Sequence, residues 1–113
     1  MSRHDDQRLA DILAAIDAIH AHLQRGDLHD GLVFDAVRIR LLEIGEAVKT
    51  ITPDLLATEP QLPWKQIASM RDRLAHRYFD TSHAIVAGTV DNDLEPLAAA
   101  TARLLRRAAT DTP

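Results

Sequence analysis

The sequence has no cysteine. A disulfide framework and thiolate metal sites are therefore excluded. Aromatic residues make up only 4% of the chain, so leucine, isoleucine, valine and alanine must fill any core. Glycine is scarce, with four residues, and no segment pairs strand alternation with hairpin turns. No apolar run approaches the length of a membrane span. The opening Met1-Ser2-Arg3-His4-Asp5-Asp6 is polar and lacks the apolar stretch of a secretory signal. The expected address is the cytoplasm. Excess positive charge is missing too. The formal net charge is −4, which argues against a protein that merely coats nucleic acid by neutralising phosphates. It leaves room for a local basic cleft, because Arg71, Arg73, Arg77, Arg103, Arg106 and Arg107 fall in two short stretches.

What is present favours helix. The 113 residues suit one domain, and 46% are hydrophobic. Leu9, Ile12, Leu13, Ile16, Ile19, His20 and Leu23 recur at helical spacing and predict a first helix from about Asp5 to Arg25, with His20 at the core margin. Asp5 or Asp6 is placed to cap its first turn. Phe34, Val37, Leu41, Ile44, Val48 and Ile51 step by three and four, predicting a second helix over about 30–51 with a bundle seam. A second stripe (Val33, Arg40, Ala47) leaves room for a subunit contact. Gly45, in mid-helix, signals close approach of another helix. Thr52-Pro53 stops the second helix. A proline-bearing connector follows, with a helical turn near residues 54–57.

Pro63-Trp64 opens a third helix reaching about Tyr78. A last helix runs from about Ser82 to Ala108. Pro96 falls inside it and cannot donate to the carbonyl of Asn92, so a kink or break is expected there. Residues from Ala109 onward read as a frayed tail. The expected architecture is all-α: one domain spanning residues 1–113, an up-and-down bundle of four principal helices with the last kinked at proline.

The third helix carries the chemistry. Arg71-Asp72-Arg73-Leu74-Ala75-His76-Arg77-Tyr78-Phe79-Asp80 concentrates three arginines, two aspartates, a histidine and a tyrosine. Asp72 and His76 are one helical turn apart. Arg73, His76, Arg77 and Asp80 share a broad face, and Arg71 and Tyr78 are nearly eclipsed. Cleavage of RNA by internal attack needs a base for the 2′-hydroxyl proton, a cation for the crowded phosphate and an acid for the leaving 5′-oxygen. Histidine transfers protons near neutral pH. Arginine holds phosphate oxygens through a planar, permanently charged fork. Asp72 is placed to fix the tautomer of His76 and favour its protonated form. The same spacing also suits a solvated face of ion pairs, each worth roughly 0–1 kcal/mol.

Arg71, four residues, His76, one residue and Tyr78 match the Arg-x4-His-x-Tyr motif, and the chain resembles the HepT-like toxins of the HEPN superfamily. Leu62-Pro63-Trp64-Lys65-Gln66-Ile67, Ile44-Gly45-Glu46-Ala47 and Asn92-Asp93-Leu94-Glu95-Pro96-Leu97 resemble that family's flanking segments. The resemblance implies a homodimeric helical bundle with two copies of the motif in one cleft. It implies a metal-independent endoribonuclease, often acting on tRNA, with no cofactor. Arg71 and His76 would be its catalytic pair, and Asp72 occupies the polar position after the arginine, where asparagine is common. Arg73 and Arg77 would bind RNA. The implied partner is an MNT-type nucleotidyltransferase antitoxin that transfers AMP from ATP to Tyr78.

Other readings rank lower. The six histidines are scattered and lack the His-Glu-x-x-His spacing of a helical zinc site. A non-catalytic helical subunit presenting substrate to a nucleotidyltransferase would use the same fold and partner without cleavage. A DNA-binding regulator lacks a basic recognition helix.

Overall fold

The computed structural model describes residues 3–75 and 79–110, and all secondary structure among them is helical. In chain order the elements are α1 (Arg3–Leu23), α2 (Gly31–Lys49), α3 (Pro53–Leu56), α4 (Trp64–Ala68), α5 (Met70–Ala75), α6 (Phe79–Asn92) and α7 (Leu94–Thr110). None of the described helices is long and apolar enough to cross a membrane.

α2 lies at the centre, packed against α1, α4, α5 and α6. Its six-residue seam is buried throughout, from Phe34 at 4% exposure to Ile51 at 3% just beyond the helix end. Asp30 starts it by accepting hydrogen bonds from the backbone N–H groups of Leu32 (2.9 Å) and Val33 (3.3 Å). α1 contributes Leu9, Ile12, Ile16 and Ile19 to the same core and also packs on α7. His20 is exposed rather than at the core margin, because Ile16 and Ile19 already fill the inward arc of that turn. Asp5 lies in the first turn of α1. It is fully buried, and its carboxylate accepts from the Thr52 backbone N–H (3.0 Å) and the Thr52 hydroxyl (2.7 Å), tying α1 to the entrance of α3.

Among the described residues the bundle differs from four continuous helices at two places. The expected third helix divides into α4 and α5 at Ser69, whose hydroxyl turns back onto the Gln66 carbonyl (2.9 Å). Such back-bonding offers the chain an alternative to the regular ladder. The last helix divides at Asp93, three residues before Pro96. Its missing N–H would have bonded Asn92, the last residue of α6, so the break falls where the proline places it. The chain is already helical at Phe79, before the expected Ser82, and α7 continues to Thr110.

Candidate active site

α5 presents the motif arginine, and its orientation follows from two apolar side chains. Met70 and Leu74, one turn apart, are 4% and 1% exposed and seat the helix against α2. Arg71 and Asp72 are consequently exposed, and Arg73 is half-buried. Gly45 permits the close seating. A Cβ built there would stand 2.9 Å from the Ile67 carbonyl oxygen and 3.1 Å from the Met70 Cβ. The close approach that Gly45 signals is thus made by the α4–α5 junction.

Arg71 and Arg73 are two helical steps apart, about 200° around the axis, and serve opposite flanks of α5. Arg71 lines an open groove of about 820 Å³ between α1 and α2. Its Nη1 lies 3.7 Å from Glu46 Oε1 of α2. Arg8 pairs with Asp11 (3.0 Å) and Arg40 with Glu43 (2.7 Å) along the same groove. Its apolar part includes Ala47, Leu42 and the half-exposed Ile39. Arg73 lines a separate cavity between α2, α4–α5 and the α6–α7 junction. His76, Arg77 and Tyr78 lie outside the described residues, so of the predicted site Arg71, Asp72 and Arg73 are described here.

A buried clasp holds the connector that leads into α4. Glu59 is 3% exposed. Its Oε1 accepts from Arg103 Nη2 (2.7 Å) and Gln61 Nε2 (2.6 Å), and its Oε2 from Arg107 Nη1 (2.5 Å). Arg103 and Arg107 lie four residues apart on α7, so both reach one carboxylate. They lower the Glu59 pKa from its ordinary value near 4.5 to about 2, Arg103 foremost, against the opposing effect of burial. The same contact raises the Arg103 pKa. The Trp64 indole N–H donates to the Glu59 carbonyl (2.9 Å), fixing the first residue of α4. Two cations of the second arginine stretch are therefore engaged in holding the chain together.

The sequence assigns no role to Glu46 or Glu59. Glu46 stands in the Gly-Glu-Ala segment, and that segment was its only signal. Nothing local marks Glu59, whose arginine partners lie 44 and 48 residues away. Among the described residues no group of three His, Asp or Glu side chains could hold a metal ion.

A family profile described as "Ribonuclease HepT-like" matches residues 9–104. The chain belongs to the HepT-like ribonuclease family. Similar proteins carry consistent names. A protein of Thermococcus cleftensis named "Probable ribonuclease HepT" is 36% identical over 101 residues, covering 86% of this chain and 92% of that protein. A "Putative RNase" of Methanocaldococcus jannaschii is 37% identical over 90 residues, covering 76% and 78% of the two chains. A second from the same organism is 44% identical over 64 residues, about half of each chain (52% and 53%). No solved structure matches the chain. The HepT-like match spans α2, α4 and α5, the elements that set the position of Arg71.

Proposed function

We propose that this HepT-like chain is a metal-independent endoribonuclease, the toxin of a HEPN/MNT toxin–antitoxin pair, acting in the cytoplasm on tRNA or mRNA. One observation carries the reading: Arg71, which opens the Arg-x4-His-x-Tyr sequence of a HepT-like family member, is exposed at the edge of a groove. The ribonuclease names of the similar proteins support it.

In the proposed reaction the 2′-hydroxyl oxygen attacks the adjacent phosphorus and the bond to the 5′-oxygen breaks. His76 moves a proton at one of those two oxygens. Asp72 orients the imidazole. Arg71 stabilises the added charge on the phosphate, while Arg73 and Arg77 hold the flanking RNA. Two copies of the chain meet across the α1–α2 groove, where Ile39 is 50% exposed, and bring two Arg71 side chains towards one phosphodiester. Convergence of two motifs would focus positive potential on a body of net negative charge.

The same reading gives Tyr78 a regulatory role. Its phenolic oxygen attacks the α-phosphorus of ATP on the nucleotidyltransferase antitoxin, and pyrophosphate leaves. The AMP adds bulk and negative charge beside the catalytic pair and blocks RNA phosphates.

The test is incubation of purified protein with tRNA in EDTA. Cleavage that is lost in both Arg71→Ala and His76→Ala supports the nuclease. Intact tRNA with the wild-type dimer overturns it and favours a non-catalytic subunit of a nucleotidyltransferase complex.

A further inference from the structure

The cavity on the Arg73 flank of α5 has about 200 Å³, below the roughly 300–1,000 Å³ of sites for drug-sized ligands. It has room for one ring system. Its walls are apolar, built from side chains such as Ile44, Met70 and Leu97, which are at most 4% exposed. Its rim carries half-buried Arg73 and exposed Gln66 and Asp93. Among the described residues neither the Arg73 guanidinium nor the Asp93 carboxylate has an ion-pair partner: the Asp93 contacts are those of its backbone. An apolar slot bordered by one uncommitted cation and one uncommitted anion suits a flat ring with an accepting edge and a donating edge.

We infer that this cavity is a base-binding subsite for guanine in the RNA substrate. Guanine offers O6 and N7 as acceptors, the arrangement that arginine matches with two N–H groups, and an amino group that donates to a carboxylate. Arg73 reads the accepting edge and Asp93 the donating one. Unstacked bases of single-stranded RNA are commonly stacked on aromatic side chains or an arginine plane and hydrogen-bonded at their edges; here the faces of the ring would meet aliphatic walls instead. The position fits the strand. Arg73 is about 3 Å further along α5 than Arg71 and faces the other flank, so a strand crossing this helix can leave its phosphate on the Arg71 side and lay a base on the Arg73 side. The inference rests on the ribonuclease reading for its substrate, but its test does not require cleavage.

Methyl-labelled protein is titrated with each of the four nucleoside 5′-monophosphates and with inosine 5′-monophosphate, which lacks the amino group. Guanosine monophosphate is expected to shift the methyl resonances of Met70 and Thr89, which line the cavity, at several-fold lower concentration than the others. Asp93→Ala, which removes the acceptor for the amino group, should remove that preference. Gln66→Trp, at an exposed position where folding is not at risk, should close the mouth and abolish the shifts. Unshifted Met70 and Thr89 methyls, or equal shifts with every nucleotide, would overturn the subsite. A protein that cleaves tRNA yet shows no such shifts loses the subsite alone. One that binds guanosine monophosphate here but leaves tRNA intact loses the nuclease reading alone.

Discussion

The backbone of Gly45 and the carbonyl of Ile67 are so close that a single added methyl would stand 2.9 Å from the oxygen. The obstacle is backbone, and it belongs to the α4–α5 junction that carries Arg71. Gly45→Ala must therefore move that junction. Overpacking of this kind costs roughly 1–3 kcal/mol, against about 1 kcal/mol regained in helix propensity. A net loss of about 0–2 kcal/mol in denaturant unfolding is expected, accompanied by reduced tRNA cleavage. Gly88→Ala is the control. Among the described residues nothing lies within 4 Å of its added Cβ, so the change should stabilise by about 0.5–1 kcal/mol and leave cleavage intact.

Glu59 predicts an acid-sensitive fold. Its carboxylate has a folded pKa of about 2 against an ordinary value near 4.5, because Arg103 and Arg107 bond the charged form. A group with a depressed folded pKa contributes stability that is complete above its unfolded value and lost as pH falls towards the folded one. The urea midpoint should fall as pH drops from about 4.5 to about 2. Glu59→Gln should start from a lower midpoint at neutral pH and show a flatter profile through that window. A profile as steep as that of the wild type would assign the acid sensitivity elsewhere.

What was legible in the sequence is what depends on near neighbours. The α2 seam followed from three- and four-residue steps, and every member is buried. Pro96 announced the break between α6 and α7 because its missing N–H is a local fact. Gly45 announced a close approach, though not its partner. The division at Ser69 was illegible, since serine inside a helix ordinarily costs little; there the side-chain bond to Gln66 accompanies crowding against Gly45. The Glu59 clasp was illegible for another reason. It joins α7 to a connector more than forty residues earlier, and three carboxylate–guanidinium neighbours cannot be read from spacing alone. Arg71 is singled out by its motif, whereas its placement beside Glu46 depends on how α5 docks on α2.

That placement makes Glu46 a competitor for RNA. Its Oε1 lies 3.7 Å from Arg71 Nη1, and both side chains are well exposed, at 48% and 64%. Exposed pairs are worth roughly 0.2–1 kcal/mol, a factor of about 1.4–5 in affinity. Glu46→Gln should bind RNA tighter by that factor at low salt, with the gain shrinking as salt screens the pair. Its unfolding free energy should stay within about 0.5 kcal/mol of the wild type. Weaker RNA binding in this variant would mean that the carboxylate orients Arg71 for phosphate instead.

The proposed role of Tyr78 separates cleavage from silencing. Tyr78→Phe keeps the ring and removes the oxygen that would accept AMP. The variant is expected to cleave tRNA at a rate close to wild type, and to show no AMP mass increment after incubation with the nucleotidyltransferase and ATP. Wild-type protein treated in the same way should gain mass in AMP units and lose cleavage. Loss of cleavage in untreated Tyr78→Phe would place the hydroxyl in the chemistry itself.

Ile39 tests whether two copies are needed. It is 50% exposed on α2 and borders the groove that Arg71 also lines, so a charge there should leave the monomer fold intact while disfavouring a partner surface. A carboxylate stranded at the centre of an interface costs roughly 2–4 kcal/mol, which weakens dimerisation by about 30- to 1,000-fold. Ile39→Asp should sediment as a monomer at micromolar concentration, with unchanged helix content. Its tRNA cleavage should fall and then recover as protein concentration is raised, since mass action restores the dimer. Cleavage that is unaffected in a proven monomer would show that one Arg71 and one His76 suffice, and that the groove has another purpose.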